Sequence, residues 1–271
     1  MKQVRMSGEQ VRGAMKPPYV ISVLLLTMLL FGCTSPETAR EDETQESTPA
    51  TEQRQPTAEL IVARAAEAMM GAGRIEDPKT LRIRMVYPDH DYPVVTELSR
   101  PNRMRTEGVG SYVLVFDGER GAFLESPPAE DGTPQGPELI DPNYLRDLEL
   151  DIAFVFPAFF DHPSEYVGRE VAEGVETHKL RVILPLGIRT TYFIDAESYL
   201  PLKVLADVTV DGTEYHTGRV FSDYEDWGGM MYPRTVTYWW LPDKVETAVV
   251  DLVEVNVPLG EDRFVIPAGI M

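Results

Sequence analysis

Read for polarity alone, the chain changes character several times. Residues 20–32 are a mostly apolar, uncharged run of 13 positions, interrupted by Ser22 and Thr27, that stops at Cys33. Residues 34–57, "TSPETAREDETQESTPATEQRQPT", hold hardly any apolar side chain. In "TAELIVARAAEAMMGAGR" apolar positions then recur at helical spacing: Leu60, Ala63 or Arg64, Ala68 and Met69, with Ile61 and Ala65 widening the stripe. Thr57 can cap this helix, Glu59 suits its positive end, and Gly71 and Gly73 follow its last apolar positions. From there the period drops to two. Segments such as "TLRIRMVY", "SYVLVFDG", "THKLRVIL" and "MYPRTVTYWWL" are rich in β-branched and aromatic residues. Leu180, Val182 and Leu184 alternate with Lys179, Arg181 and Pro185. Turn signals at short spacing ("FDGER", "VDGTE", "WGG", "LPDK") predict consecutive hairpins, an antiparallel meander without helical crossovers. One stretch breaks the rhythm. In "DPNYLRDLELDIAFVFPAFFDHP", Leu145, Leu148, Ile152, Phe156 and Phe159 return to three- and four-residue spacing. Asp141 is a plausible cap, Pro142 suits the first helical position, and Pro157 bends or ends the helix.

The 13-residue apolar run would span roughly 20 Å as a helix, against ~30 Å of bilayer hydrocarbon. It is short for a transmembrane helix and fits the apolar centre of a secretory leader, with Lys16 ahead of it. "LFGC" at its end is similar to the lipobox of bacterial lipoproteins, which implies that Cys33 is acylated and becomes the mature amino terminus. The alternative is an ordinary core cysteine. Residues 1–14 carry Glu9 and read poorly as the start of a leader, whereas "MKPPYVISV" is compact, so translation is expected to begin at Met15. Residues 1–32 are then the leader, 33–57 a lipidated cysteine with a disordered acidic tether, and 58–271 one folded domain. As a flexible coil the tether averages roughly 27 Å and reaches ~80 Å at full stretch.

Composition narrows the partners. The formal charge is −19, and removing a leader with four basic residues and one acidic residue makes it −22. Such a surface repels phosphate backbones, which disfavours nucleic acid, and disfavours a polybasic grip on anionic lipid. A membrane link is left to the acyl chains. With Cys33 the only cysteine, no internal disulfide can form.

Catalytic chemistry is sparse. His90, His162, His178 and His216 show no zinc-ligand spacing, and His90 and His162 sit in loop-like contexts. "GVGSY" lacks the closing glycine of a nucleophile elbow. Asp223 and Asp226 form a carboxylate pair, but 44 acidic residues produce such pairs by chance. The expectation is a protein without catalytic residues, metal or cofactor.

Five pieces in order, "RPNRMRTE", "VFDGERGAFLESP", "TTYFIDAESYLPLKV", "DYEDWGGMMYPRTV" and "VEVNVPLGEDRFVIP", are similar to signatures of the LolA/LolB-like lipoprotein-sorting family. The resemblance covers roughly residues 60–267. It implies a mostly β (α+β) fold: an antiparallel incomplete β-barrel whose N-terminal helix and inserted helix cover its concave face over an apolar cavity. It implies accommodation of acyl chains or other amphiphiles there. The physics agrees, since an open half-barrel cannot bury its concave face with strands alone. Candidate cavity residues are Phe154, Phe156, Phe159 and Phe160 on the inserted helix, with Met231, Trp239 and Trp240. Met104 and Met230 are further adaptable lining. Adjacent Trp239 and Trp240 point to opposite faces if alternation is strict. The expected function is a lipid-anchored envelope protein that binds or transfers a lipid or a lipoprotein's acyl chains. Thr34 after Cys33 leans towards the outer membrane, facing the periplasm. The alternative is an envelope sensor or scaffold that uses the same fold to bind a protein partner.

Overall fold

Alternation becomes strands where the sequence predicts them. In the computed structural model β1 (Thr80–Val86), β2 (Val94–Ser99), β3 (Arg103–Gly108), β4 (Tyr112–Phe116), β5 (Gly121–Glu125) and β6 (Glu138–Leu139) form one meander. A second comprises β7 (Ser164–Ala172), β8 (Val175–Ile183), β9 (Arg189–Asp195), β10 (Pro201–Val210), β11 (Thr213–Asp226), β12 (Met231–Leu241) and β13 (Lys244–Val255). The residues described are 56–270, apart from 72–74, 76, 89–91, 109–111, 127, 129–134, 211–212 and 242–243. The side chains of 143, 209–210, 213–215, 240–241 and 244 are likewise not described. Cys33, the tether up to Gln55 and His90 therefore lie outside the described residues.

The meanders join at a single seam, β1 against β13, with Leu81 opposite Val255 and Ile83 opposite Val253. One 13-stranded sheet results, in the order β6-β5-β4-β3-β2-β1-β13-β12-β11-β10-β9-β8-β7. Every neighbouring pair is antiparallel. The sheet is not closed, and β6 and β7 are its edges.

One connection joins those edges. Flat, 13 strands at ~4.8 Å spacing would be roughly 58 Å across. The 24 residues between Leu139 and Ser164 must cross from one edge to the other, and 11 of them are helical. With that helix and two 3-10 turns they reach roughly 53 Å at full stretch, a little less than the flat width, and strand residues of both meanders share one apolar core with the connecting segment. The sheet curls, and the connecting segment lies across its concave face.

Two helices fill that face. α1 (Ala58–Met70) begins where expected: Thr57 Oγ1 accepts the Leu60 N–H at 3.3 Å, and Gly71 ends it at φ 62°. Its buried stripe differs from the expected one. Ile61, Ala65 and Met69, four apart, face the core, while Leu60 is 49% exposed. The small Ala65 at the centre is fully buried, and Leu60, one residue off the Ile61–Ala65–Met69 line, turns outward. α2 (Leu145–Val155) starts later than the sequence reading, after a 3-10 turn at Pro142–Tyr144. It ends at Phe156, before Pro157, and a second 3-10 turn follows at Ala158–Phe160. Ile61 and Met69 of α1, Leu148 to Phe159 around α2, and strand residues from both meanders (Leu81, Met104, Phe116, Leu180, Tyr192, Val236) share one apolar core.

Candidate functional site

α2 lies like a beam across the concavity, and its two flanks meet different chemistry. One carries Leu145, Glu149, Ile152, Ala153 and Phe156, spaced three or four apart, and it borders a cleft of about 510 Å³. Phe116, Leu184 and Leu186 supply apolar surface on the far walls. Asn102 and Glu119 from the turns beside β3 and β5, with Asp161 and His162 after α2, bring polar groups to it. The size is that of a small-molecule or lipid-tail site.

The opposite flank, with Asp151, Phe154 and Val155, borders a smaller chamber of about 110 Å³. Tyr87, Thr96, Thr106, Tyr112 and Tyr238 bring hydroxyls to it, and Met104 adds apolar surface. Arg219 lies 4.4 Å over the Phe154 ring and 4.8 Å over Tyr238, and its Nη2 is 3.4 Å from Asp151 Oδ1. Burial raises the Asp151 pKa to about 6; the Arg219 charge opposes the rise and Asp147 adds to it. Between cleft and chamber the helix is packed nearly dry. A void of only about 10 Å³ remains where Met69, Ala153 to Val155, Tyr192 and Tyr232 meet.

Polar contacts fix α2 in place. The last carbonyls of a helix lack intrahelical partners. Here the Tyr192 hydroxyl donates to the Ala153 carbonyl at 2.9 Å and accepts the Ala158 N–H at 2.9 Å. Tyr232 donates to the Val155 carbonyl at 2.9 Å. Burial pushes both phenols well above their usual pKa, so both remain donors. Arg100, its side chain 8% exposed, grips Asp161 with two N–H groups at 3.1 and 2.7 Å and Asp77 with a third at 2.7 Å. Its guanidinium lies 4.3 Å over the Phe156 ring. At the cleft mouth the Glu149 carboxylate accepts the Leu186 N–H at 3.0 and 3.2 Å, strapping α2 to the β8–β9 turn. Burial raises the Glu149 pKa against that hydrogen bond.

The expected cavity residues divide. Phe156 lines the cleft. Phe154 borders the chamber instead. Phe159 is buried, packing edge-on against Tyr192 with centroids 5.0 Å apart. Half-buried Phe160 packs at a tilt against Phe156 and Phe159, with centroids 5.3 and 4.6 Å apart. These two phenylalanines fill the interior rather than line an open space. Tyr232, Val236 and Tyr238 of β12 face the chamber, so alternation puts Trp239 on the outer face, with Lys203 Nζ 5.4 Å over its ring. Met231 borders neither space. The side chain of Trp240 lies outside the described residues. The β12–β13 register shifts between Trp239 and Leu241. His178 is 1% exposed inside β8, close to Tyr166 and Tyr199, and burial lowers its pKa. His216 is exposed and 2.9 Å from Asp207. Among the described residues no group of three His, Cys, Asp or Glu side chains is placed to hold a metal ion.

Sequence reasoning assigned no role to Arg100, Tyr192, Tyr232 or Glu149. Their partners lie 22 to 77 residues away along the chain, and no local pattern announces them.

No protein-family model and no curated protein matches this chain. Solved structures do. A LolA superfamily protein from Nitrosomonas europaea is 16% identical over 78% of this chain and 98% of its own, with a TM-score of 0.49. A DUF1329 family protein from Desulfovibrio piger is 10% identical over 76% and 96%, at 0.43. The Mycobacterium tuberculosis lipoprotein LppX is 10% identical over 76% and 98%, at 0.26. Each is a likeness of chain path at low identity; the chemistry of the cleft is this chain's own.

Proposed function

We propose that this chain is a lipid-anchored protein of the cell envelope that holds or hands on a hydrophobic ligand, a lipid or a lipoprotein's acyl chain, in the cleft beside α2. The cleft itself carries the reading: about 510 Å³ bordered by Leu145, Ile152, Phe156, Phe116, Leu184 and Leu186. Acylation of Cys33 supplies the anchor. Among the described residues no helix is long and apolar enough to cross a membrane.

Magnitudes favour exchange. Ten methylenes moved from water into the cleft gain roughly 8 kcal/mol. The tyrosine hydrogen bonds that fasten α2 are each worth about 1 kcal/mol net, and the Arg100–Asp161 pair about 2–3 kcal/mol. The two sums are of similar size, so a tail that widens the cleft by shifting α2 exchanges by differential affinity for the open and closed arrangements.

A second reading, a sensor or scaffold for a protein partner, is favoured by one observation: Phe154, Tyr192 and Tyr232 fill the centre of the concavity around a void of only about 10 Å³, with Phe159 buried against Tyr192. Native mass spectrometry of the chain from Thr34, produced in a bacterial host, separates the two. Bound lipid masses that disappear in Phe156→Asp support the ligand reading. An apo mass unchanged by added lipid supports the scaffold.

A further inference from the structure

The charges at the cleft mouth are of one sign. Glu119, Glu149, Asp161 and His162 are its ionisable lining residues, and neither lysine nor arginine is among them. The Asp161 charge is met from outside the cleft by Arg100. Glu149 spends its carboxylate on a backbone N–H, a neutral donor, so its negative charge is not cancelled. Positive features lie at its border: Arg100 behind the Phe156 ring, already paired with Asp161 and Asp77, and the amino end of α2, where Arg146 stands beside Asp147. The whole chain adds a background of −19.

From this we propose that the cleft selects its amphiphile by head charge: it takes an apolar tail whose head bears no negative charge, and binds cationic heads best. The inference rests on the cleft being a tail site. A tail seated between Ile152, Phe156 and Leu186 holds its head beside exposed Glu119 and partly buried Glu149, and like charges repel there, most strongly at the partly buried carboxylate. Free fatty acids and anionic phospholipids are therefore poor ligands. Neutral glyceryl-linked chains and long-chain amines are good ones.

The test compares three probes with one tail, below their micellar concentrations, on the chain from Thr34, which contains every described residue. Calorimetry follows dodecyltrimethylammonium, dodecyl maltoside and dodecyl sulfate at 20 mM and 500 mM salt. The expected result is cationic binding at least about tenfold tighter than anionic at low salt, narrowing at high salt as screening shortens to about 4 Å. Glu119→Gln/Glu149→Gln should close most of that gap, since glutamine still accepts the Leu186 N–H. Glu197→Gln/Glu225→Gln, which removes two exposed charges that do not line the cleft, should leave it. Equal affinities, tighter sulfate binding, or equal narrowing by both double variants would overturn head-charge selection while keeping the tail site. No binding by any probe would remove the tail site as well.

Discussion

At the residue scale, two charged side chains hold α2 by different physics. Arg100 is almost wholly out of water and uses its planar fork on Asp161, a geometry that lysine cannot copy. Arg100→Ala is expected to cost about 3–5 kcal/mol in urea unfolding, because Asp161 loses its countercharge in a partly buried setting. Arg100→Lys should recover only part of it, and full recovery would mean that simple charge is enough. Asp151 works in the opposite direction. Its pKa rises from an ordinary value near 3.9 to about 6, so the folded state binds the proton more tightly than the unfolded chain does. Stability from this group is present below pH ~4 and is lost as pH rises to about 6, by at most about 3 kcal/mol. Asp151→Asn should therefore gain on the wild type steadily between pH 4 and pH 6.5. A difference that stays constant across this range would refute the assignment.

At the scale of elements, α2 is a short helix fastened at its carboxyl end by hydroxyls from β9 and β12. Tyr192→Phe leaves the Ala153 carbonyl and the Ala158 N–H buried without a partner, at a cost of about 2–4 kcal/mol. Hydrogen exchange should show α2 amides losing protection while those of β9 and β10 keep theirs. Uniform loss across the sheet would mean that Tyr192 supports the core and not the helix. Much of this level was legible in the sequence, because strands and helices follow local periodicity and turn residues. The end of α2 at Pro157 and the cap at Thr57 are chemical signals carried by single residues. The two-residue β6 was not legible, since two positions establish no period. Nor was the buried face of α1, where Leu60 and Ile61 compete and contact with the sheet decides. Phe159 and Phe160 read as lining because hydrophobicity alone does not distinguish a side chain that fills a space from one that borders it.

For the whole molecule, the β1–β13 seam joins the two meanders into one curved wall. Ion pairs cross it: Arg84 to Asp251 at 2.7 Å and Arg82 to Glu254 at 2.9 Å. Glu97, its side chain 3% exposed, takes Arg82 at 2.9 Å and Arg263 at 2.7 Å, which ties the C-terminal 3-10 turn Glu261–Phe264 back to the sheet. Burial pushes its pKa up, but hydrogen bonds from Arg263 and Arg82 outweigh this and hold it below the ordinary value. Its contribution is present above pH ~4.3 and disappears as the pH falls through that lowered value. Glu97→Ala should cost about 3–5 kcal/mol at pH 7 by thermal unfolding, and progressively less as the pH falls through that lowered value; a pH-independent cost would point to lost packing instead. None of this network was legible beforehand, because partners such as Arg82 and Glu254, 172 residues apart, meet only once the seam has formed.

The curved wall and its crossing helix leave an oily slot on one flank of α2, and everything proposed about ligands depends on a tail entering it. Photolabelling the chain from Thr34 with a dodecyl chain bearing a terminal diazirine, then mapping adducts by peptide mass spectrometry, tests this most directly. Adducts concentrated on Ile152, Phe156, Leu184 and Leu186, and suppressed by unlabelled amphiphile, are the predicted result. Labelling scattered over the outer face around Trp239, or unaffected by competitor, would contradict it.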